Sequence, residues 1–172
     1  MKAKPVSHYV VGLIIGLVIV VCFLAFYFAG YAFNKSAISY LPVLLFAAIV
    51  IISIIQWSKA NDYNVTFGSC FAYGFKATAI ASLIIAAFTL IFILSFPDYK
   101  EQFVAFMSSE MEKNNDITDE QKEQGLQMMG KFFTLSAVGG GLIMNLIVGA
   151  IAALIGAAVA KKNPRDPFQQ PV

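Results

Sequence analysis

Few side chains in this sequence can carry out chemistry. The single histidine, His8, has no second histidine or cysteine at a spacing that builds a zinc site. Eight carboxylates lie between residues 97 and 131, but the calcium-loop spacing is missing and four lysines lie among them. Glycine-rich phosphate loops, nucleophile elbows and intramembrane carboxylate pairs do not occur. We therefore expect no catalytic residue, no metal ion and no cofactor.

Asn145 is the most polar group in the middle of an apolar segment. Burying an amide without a hydrogen-bonding partner is costly in an apolar environment. Hydroxyl groups on other apolar segments, at Ser53, Thr78, Ser82 and Thr89, are potential partners. We predict a hydrogen bond between helices, worth about 0.6 to 2 kcal/mol, rather than a ligand site.

Small residues recur every four positions in three apolar segments. In the last segment they are Ala137, Gly141, Asn145, Gly149, Ala153 and Ala157. In the third they are Gly74, Thr78, Ser82 and Ala86, and in the first they are Gly12 and Gly16. Such faces allow two helix backbones to approach closely. We predict packing within one four-helix unit, with self-association or a partner subunit as the alternative.

Two further features could break or bend a helix. Pro42 lies near the start of the second apolar segment, where proline is tolerated in the first turn of a helix. The alternative is a broken helix that exposes backbone groups to a transported substrate. The triplet Gly139, Gly140 and Gly141 could allow a bend. We favour close packing or local flexibility for the triplet, and gating is the alternative.

The composition places most of the chain in a lipid bilayer. Of 172 residues, 59% are apolar and 13% are charged, and the mean hydropathy is +0.74. A soluble domain carries about a quarter charged residues, so the composition argues strongly against a soluble enzyme. Residues 9–33, 38–57, 74–96 and 132–160 each reach the length of about 20 residues that spans a membrane. The predicted fold class is all-α: an integral membrane four-helix bundle forming a single domain over residues 1–172.

The segment 97–131 is an acidic extramembrane insert between spans three and four. Its eight carboxylates and four lysines give it a net charge of −4, so we expect it in water. Apolar residues at helical spacing predict an amphipathic helix up to about Lys113. Residues 114–117 break this helix, and Thr118 with Gln121 predicts a capping box that starts a second one.

Four spans place both termini on one side of the membrane. Seven lysines and arginines would lie on that side and five on the other, which favours cytoplasmic termini and an external acidic insert. Cys22 and Cys70 lie in or beside the membrane on different spans, so we predict two free thiols. Three prolines predict a disordered tail over residues 163–172.

The segment leading into the third span carries a family resemblance. Residues 65–76 read VTFGSCFAYGFK, follow an apolar hairpin, and precede an acidic helical insert. A glycine-rich last span that closes on Lys161 and Lys162 completes the arrangement. The chain resembles the domain of unknown function 4199 family, small bacterial membrane proteins found mainly in Bacteroidota. The resemblance implies a four-span inner-membrane protein without an assigned activity and supplies no functional residues.

The leading hypothesis for function is a non-enzymatic membrane protein, a structural or accessory subunit that acts through helix packing. One alternative is a small transporter or channel that uses Pro42, Asn145 and the glycine triplet, which a polar cavity at those residues would favour. Another is an accessory subunit of a lipid-processing or glycosyl-transferring enzyme. Expected partners are the lipid bilayer and a second copy or another membrane protein. Nucleic acid is not expected, because basic residues are few and membrane topology explains their positions.

Overall fold

The computed structural model describes residues 5–33, 37–113 and 118–164, which are helical and contain no strand. The helices are α1 His8–Phe28, α2 Leu41–Ala60, α3 Phe67–Ser95, α4 Asp98–Glu112, α5 Asp119–Leu135 and α6 Gly141–Val159. A 3₁₀ turn, Ala37–Tyr40, precedes α2. Four helices in the described ranges are long and apolar enough to cross a membrane: His8–Phe28, Ile38–Ala60, Phe67–Ser95 and Asp119–Val159. The predicted all-α, four-span architecture is confirmed.

Local backbone chemistry sets the end of α1, which comes earlier than the predicted residue 33. Gly30 has a φ of +76°, a left-handed conformation that favours glycine. The Tyr31 N–H donates to the Phe26 carbonyl at 2.8 Å, and the Gly30 N–H donates to the Tyr27 carbonyl at 3.1 Å. These two bonds form a Schellman motif, which stops the helix inside the apolar run.

Side-chain caps start α3 and α5. The predicted capping box is present at α5, where the Gln121 N–H donates to the Thr118 hydroxyl at 3.3 Å. A second capping box, between Thr66 and Ser69, starts α3 earlier than the predicted residue 74. Pro42 lies in the first turn of α2, as the simpler interpretation predicted, and α2 extends beyond the predicted residue 57.

The second insert helix and the last span are one continuous helix. Helices α5 and α6 are joined by a π-helical segment, Ser136–Gly140, and together they run for 41 residues. A separate span over 132–160 was predicted because the charged residues stop at Lys131. A change of polarity does not interrupt backbone hydrogen bonding, so the helix continues across it. At 1.5 Å per residue this helix is about 60 Å long and projects well beyond a bilayer core of about 30 Å.

Helix α3 lies at the centre of the bundle and is packed by α1, α2 and α6. The buried core includes Ile15 of α1, Val50 and Ile54 of α2, Ala77 and Ala81 of α3, and Ala153 and Ala157 of α6. Many large apolar side chains face outward instead, among them Leu83, Ile91, Leu94, Ile143 and Met144. Large outward apolar faces are the expected surface of helices surrounded by lipid tails.

Three predicted segments fall wholly or mainly outside the described residues. These are the turn at 34–37, of which Ala37 is described, the break at 114–117, and the tail at 163–172, of which Asn163 and Pro164 are described. Cys22 and Cys70 are free thiols on α1 and α3.

Candidate functional site

The α3–α6 seam brings together four of the predicted packing residues. A Cβ atom at Gly149 would lie 2.0 Å from the Thr78 Cγ2, closer than real side chains allow. A Cβ at Gly74 would lie 2.4 Å from the Ile54 Cδ1 and 3.2 Å from the Cβ of Ala153. A small residue is therefore needed at position 149, because α3 and α6 approach too closely there for a larger one, whereas Gly74 also makes room for the Ile54 side chain of α2.

The α1–α3 seam uses the first-span glycines in the same way. A Cβ at Gly12 would lie 2.7 Å from the backbone oxygen of Ala77, and one at Gly16 would lie 2.9 Å from the Ile84 Cγ2. Backbone cannot move aside as a flexible side chain can. Gly12 therefore sets how closely α1 approaches α3.

The glycines in the outer part of the stripe have room beside them, although the π-helical segment contacts α3. A Cβ at Gly139 would come no closer than 4.0 Å to the nearest described side chain, and one at Gly140 or Gly141 would meet no described atom within 4 Å. In the π-helical segment the backbone hydrogen bonds join residues five apart instead of four. Residues spaced four apart across this segment therefore do not stay on one face of the helix. The predicted stripe thus packs from Gly149 to Ala157 and is open around Gly141.

The hydrogen bonds predicted for Asn145 are not formed. The hydroxyls of Thr78 and Ser82 are buried and have no hydrogen-bond partner among the residues that the structure describes. Ser53 donates to the Val50 carbonyl at 2.7 Å, and Thr89 donates to the Ile85 carbonyl at 2.8 Å. Both hydroxyls therefore bond to backbone carbonyls of their own helices. The Asn145 amide is partly exposed and bonds to none of the four hydroxyls.

A cavity of about 520 Å³ lies between α1 and α2 at the end of the bundle where the N-terminus enters it. We call it the α1–α2 cavity. Its lining residues are Val6, Val11, Ile14, Ile49, Ile52, Ser53, Gln56, Trp57, Lys59, Ala60, Asp62 and Tyr73. The size is that of a small-molecule site, and the lining combines apolar side chains with a few polar groups.

Aromatic rings form one wall of the α1–α2 cavity. The Trp57 and Tyr73 rings stack with centroids 4.8 Å apart and an interplanar angle of 17°. The Tyr73 hydroxyl donates to the Val6 carbonyl at 3.0 Å, which fixes the segment before α1 against α3. This wall is therefore held in place without a ligand.

The turn between α2 and α3 places Asp62 at the same cavity. Asp62 and Tyr63 have φ values of 53° and 61°, which side chains rarely adopt. The C-terminal end of α6 holds this turn: the Asn163 N–H donates to the Tyr63 carbonyl at 2.7 Å, and the Lys161 ammonium lies 4.9 Å from the Tyr63 ring centroid. Ser58 of α2 adds a hydrogen bond to the Lys161 carbonyl.

A smaller cavity of about 320 Å³ lies on the other side of the Trp57 and Tyr73 pair. His8 and Lys76 line it, and the rings of His8 and Tyr73 meet edge to face at 6.4 Å. Among the described residues, no three His, Cys, Asp or Glu side chains gather as metal ligands.

The opposite end of the bundle is closed by an aromatic cluster. Its members are Phe23, Tyr27 and Phe33 before α2, Phe88, Phe92 and Phe96 near the end of α3, Tyr99, Phe103 and Phe106 of α4, and Phe133 of α5. Tyr99 contacts rings from α1, α3 and α5. Burial, and then the nearby Tyr27, raise the pKa of Tyr99 above its ordinary value.

Sequence reasoning did not find the α1–α2 cavity. The sequence feature that corresponds to the cavity is one face of α2. Its residues lie at helical spacing and become more polar toward the end of the helix: Ile49, Ile52, Ser53, Gln56 and Lys59. That gradient is visible in the sequence. The gap beside it depends on how α1 leans on α3, which the sequence pattern does not specify.

Comparison with known proteins gives one match. A family model described as "Protein of unknown function (DUF4199)" matches residues 11–162, which is most of the chain. No curated protein and no solved structure matches.

Proposed function

Because this chain belongs to the DUF4199 family, whose description assigns no activity, we propose a function from its geometry. The protein is a non-enzymatic, integral protein of the bacterial inner membrane, and it acts as a structural or accessory subunit through helix packing. The termini face the cytoplasm, and the acidic insert lies outside.

The observation that carries this proposal is that the Asn145 amide bonds to none of the four hydroxyls predicted for it, all of which the structure describes. Lys131 and Lys161 bracket the apolar part of the last helix, and Asn145 lies about midway, roughly 21 Å from one and 24 Å from the other. An amide at that depth has no water to bond. A helix from another subunit can supply a partner, at about 0.6 to 2 kcal/mol for each hydrogen bond.

The surroundings of Asn145 support a helix as the partner. Gly141, one turn earlier, leaves open space where a backbone can approach. Ile143, Met144 and Ile147 are all more than half exposed, so this part of the last helix has an apolar contact surface. The partner is a second copy of the chain or another membrane protein.

The experiment compares Asn145→Leu with Met144→Leu, a change at the neighbouring exposed position. Light scattering measures the oligomeric state in mild detergent, and co-purification detects partner proteins. We expect the wild-type protein and the Met144 variant to associate, and Asn145→Leu to lose most of the association. A wild-type protein that is monomeric and has no co-purifying partner would contradict the proposal, and so would an unchanged association of Asn145→Leu.

A transporter or channel gains no support from the two cavities described above. Neither is lined by Pro42, Asn145 or the glycine triplet, the residues on which that hypothesis rests. The α3–α6 seam is packed with small side chains at Gly74, Gly149 and Ala153.

A further inference from the structure

The smaller cavity of about 320 Å³ lies where the start of α1 meets α3. We call it the His8–Lys76 cavity. Ser7 and His8 line it from the start of α1, and Ala72 and Lys76, one turn apart, line it from α3. The stacked aromatic pair of α2 and α3 separates it from the α1–α2 cavity.

This cavity lies at the level where two spans lose their charged side chains. No charged residue follows His8 until after residue 33, and none follows Lys76 until after residue 96. Because both side chains line the same cavity, the two apolar runs begin at one depth. That depth is the membrane interface, where phospholipid headgroups meet acyl chains.

The His8–Lys76 cavity presents positive charge and no described carboxylate. Lys76 forms no ion pair and no hydrogen bond with the residues that the structure describes. Of the described carboxylates, Asp62 lines the α1–α2 cavity and the others belong to the insert at the opposite end of the bundle. The His8 ring carries an N–H in either protonation state, and the N-terminus of α1 adds a partial positive charge. The cavity therefore favours an anionic group over a cationic one.

The His8 ring is held in place without a ligand. Its centroid lies 4.2 Å from that of Tyr9, and it meets the Tyr73 ring edge to face at 6.4 Å. The Val10 N–H donates to the Ser7 hydroxyl at 3.4 Å, which caps α1 immediately before His8. A ligand at this cavity therefore has little ordering of the protein to offset.

An exposed apolar face of α3 leads from this cavity toward the bilayer centre. Leu83 and Leu90 follow Lys76 in steps of seven residues, nearly two helical turns each, so they lie on the same side of α3. Leu83 is about 10 Å deeper than Lys76, and the two leucines are 61% and 41% exposed. An acyl chain would cover them, whereas a free phosphate would leave them bare.

We propose that the His8–Lys76 cavity binds the phosphate of an anionic phospholipid whose headgroup carries no ammonium, the phosphatidylglycerol class. Lys76 pairs with the phosphate, and the His8 ring N–H donates to one of its oxygens. One acyl chain lies along Leu83 and Leu90. An ethanolamine or choline headgroup would place its own cation beside Lys76, so these lipids bind less tightly. This site does not depend on the function proposed above.

The first test measures lipid preference by native mass spectrometry of the full chain in detergent. The probes are phosphatidylglycerol, phosphatidylethanolamine and phosphatidylcholine with identical acyl chains, and soluble glycerol 3-phosphate. We expect phosphatidylglycerol to be retained about fivefold more than either other lipid, and the soluble compound not to bind. Equal retention of the three lipids would overturn the proposal. Binding of glycerol 3-phosphate as strong as that of phosphatidylglycerol would also overturn it, because the ligand would then be a free phosphate.

Charge variants test the two headgroup contacts. Lys76→Gln should lower phosphatidylglycerol retention about fivefold, and Lys76→Arg should preserve it, because arginine keeps the charge and binds phosphate well. His8→Phe keeps a ring at this position without its N–H and should lower retention about threefold. Lys59→Gln is the matched control, since Lys59 lies at the same end of the bundle but lines the α1–α2 cavity. Equal losses in Lys59→Gln and Lys76→Gln would refute the proposal, and so would unchanged retention in Lys76→Gln.

A steric pair tests the position of the lipid. Ala72→Phe fills the His8–Lys76 cavity from α3, whereas Ala48→Phe places the same ring at an exposed position of α2 that lines neither cavity. We expect Ala72→Phe to lose most phosphatidylglycerol retention while the melting temperature of the lipid-free protein matches that of Ala48→Phe. Undiminished retention in Ala72→Phe would show that the lipid lies elsewhere.

Discussion

Close contacts at single residues determine where the helices of this protein can pack. Gly149 and Gly141 belong to the same four-residue repeat, yet Thr78 fills the space beside Gly149 and nothing lies within 4 Å of a Cβ built at Gly141. Position 149 therefore has no room for a larger side chain, whereas position 141 has room for one. The difference comes from the neighbouring helix, and it can be measured by substitution.

Gly149→Ala should destabilise the protein by about 1 to 3 kcal/mol, because the new methyl group overpacks against a stiff β-branched side chain. Gly141→Ala should be neutral or stabilising by up to about 1 kcal/mol, since alanine favours helix and meets no neighbour. Thermal unfolding in detergent measures both. Thr78→Ala combined with Gly149→Ala should recover part of the loss. Equal effects of the two glycine substitutions would mean that Thr78 does not limit the seam.

Two buried serines give a second comparison at the residue scale. Both Ser82 and Ser58 are fully buried, but the Ser82 hydroxyl has no partner in the described ranges, whereas Ser58 donates to the Lys161 carbonyl. Ser82→Ala should be neutral or stabilising, and Ser58→Ala should cost about 1 to 2 kcal/mol by leaving a carbonyl unpaired. Unfolding midpoints of the two variants, measured in the same detergent, decide the matter. A large loss in Ser82→Ala would reveal a partner for that hydroxyl.

At the scale of helices, contacts between aromatic side chains hold the acidic insert against the membrane bundle. Its surface is charged, yet Tyr99 and Phe103 of α4 reach Phe133 of α5, and Tyr99 also contacts Phe92 of α3. The α4 helix of the insert therefore docks against the first, third and last spans instead of extending freely. Its position depends on Tyr99 remaining neutral, since a phenolate would be buried among apolar rings.

The raised pKa of Tyr99 predicts loss of stability at alkaline pH. The undocked tyrosine ionises near its ordinary value of 10.0 and the docked one only at higher pH, so the stability falls as the pH rises above about 10. Tyr99→Phe should reduce this dependence, and Tyr9→Phe, at an exposed ring, should not. Melting temperatures between pH 8 and pH 11 provide the measurement. Identical slopes for the wild-type protein and Tyr99→Phe would contradict the prediction.

For the whole molecule, the two ends of the bundle differ in chemistry. One end contains the turn at Asp62 and Tyr63, the contacts that Lys161 and Asn163 make with this turn, and the α1–α2 cavity. The other end carries the aromatic cluster and the acidic insert. We propose that this difference accompanies a single orientation in the membrane, the one that the distribution of lysine and arginine predicts.

Cysteine labelling tests that orientation. In a protein with Cys22 and Cys70 replaced by alanine, Lys4→Cys should resist a membrane-impermeant maleimide in intact cells, and Glu123→Cys should react. Permeabilised cells, in which both positions should be labelled, provide the control. The reverse pattern would invert the orientation, and labelling of both positions in intact cells would refute the four-span topology.

The sequence by itself determined the all-α class, the four apolar spans and the capped start of α5. These follow from hydrophobicity and hydrogen bonding within a few neighbouring residues, which the sequence shows directly. Only the tertiary structure decided that Gly149 is packed while Gly141 is open, that Asn145 bonds to none of its predicted partners, and that a cavity lies between α1 and α2. Those outcomes depend on the distance and rotation between helices far apart in the chain. A π-helical segment or a close glycine contact changes that geometry without changing the apolar pattern.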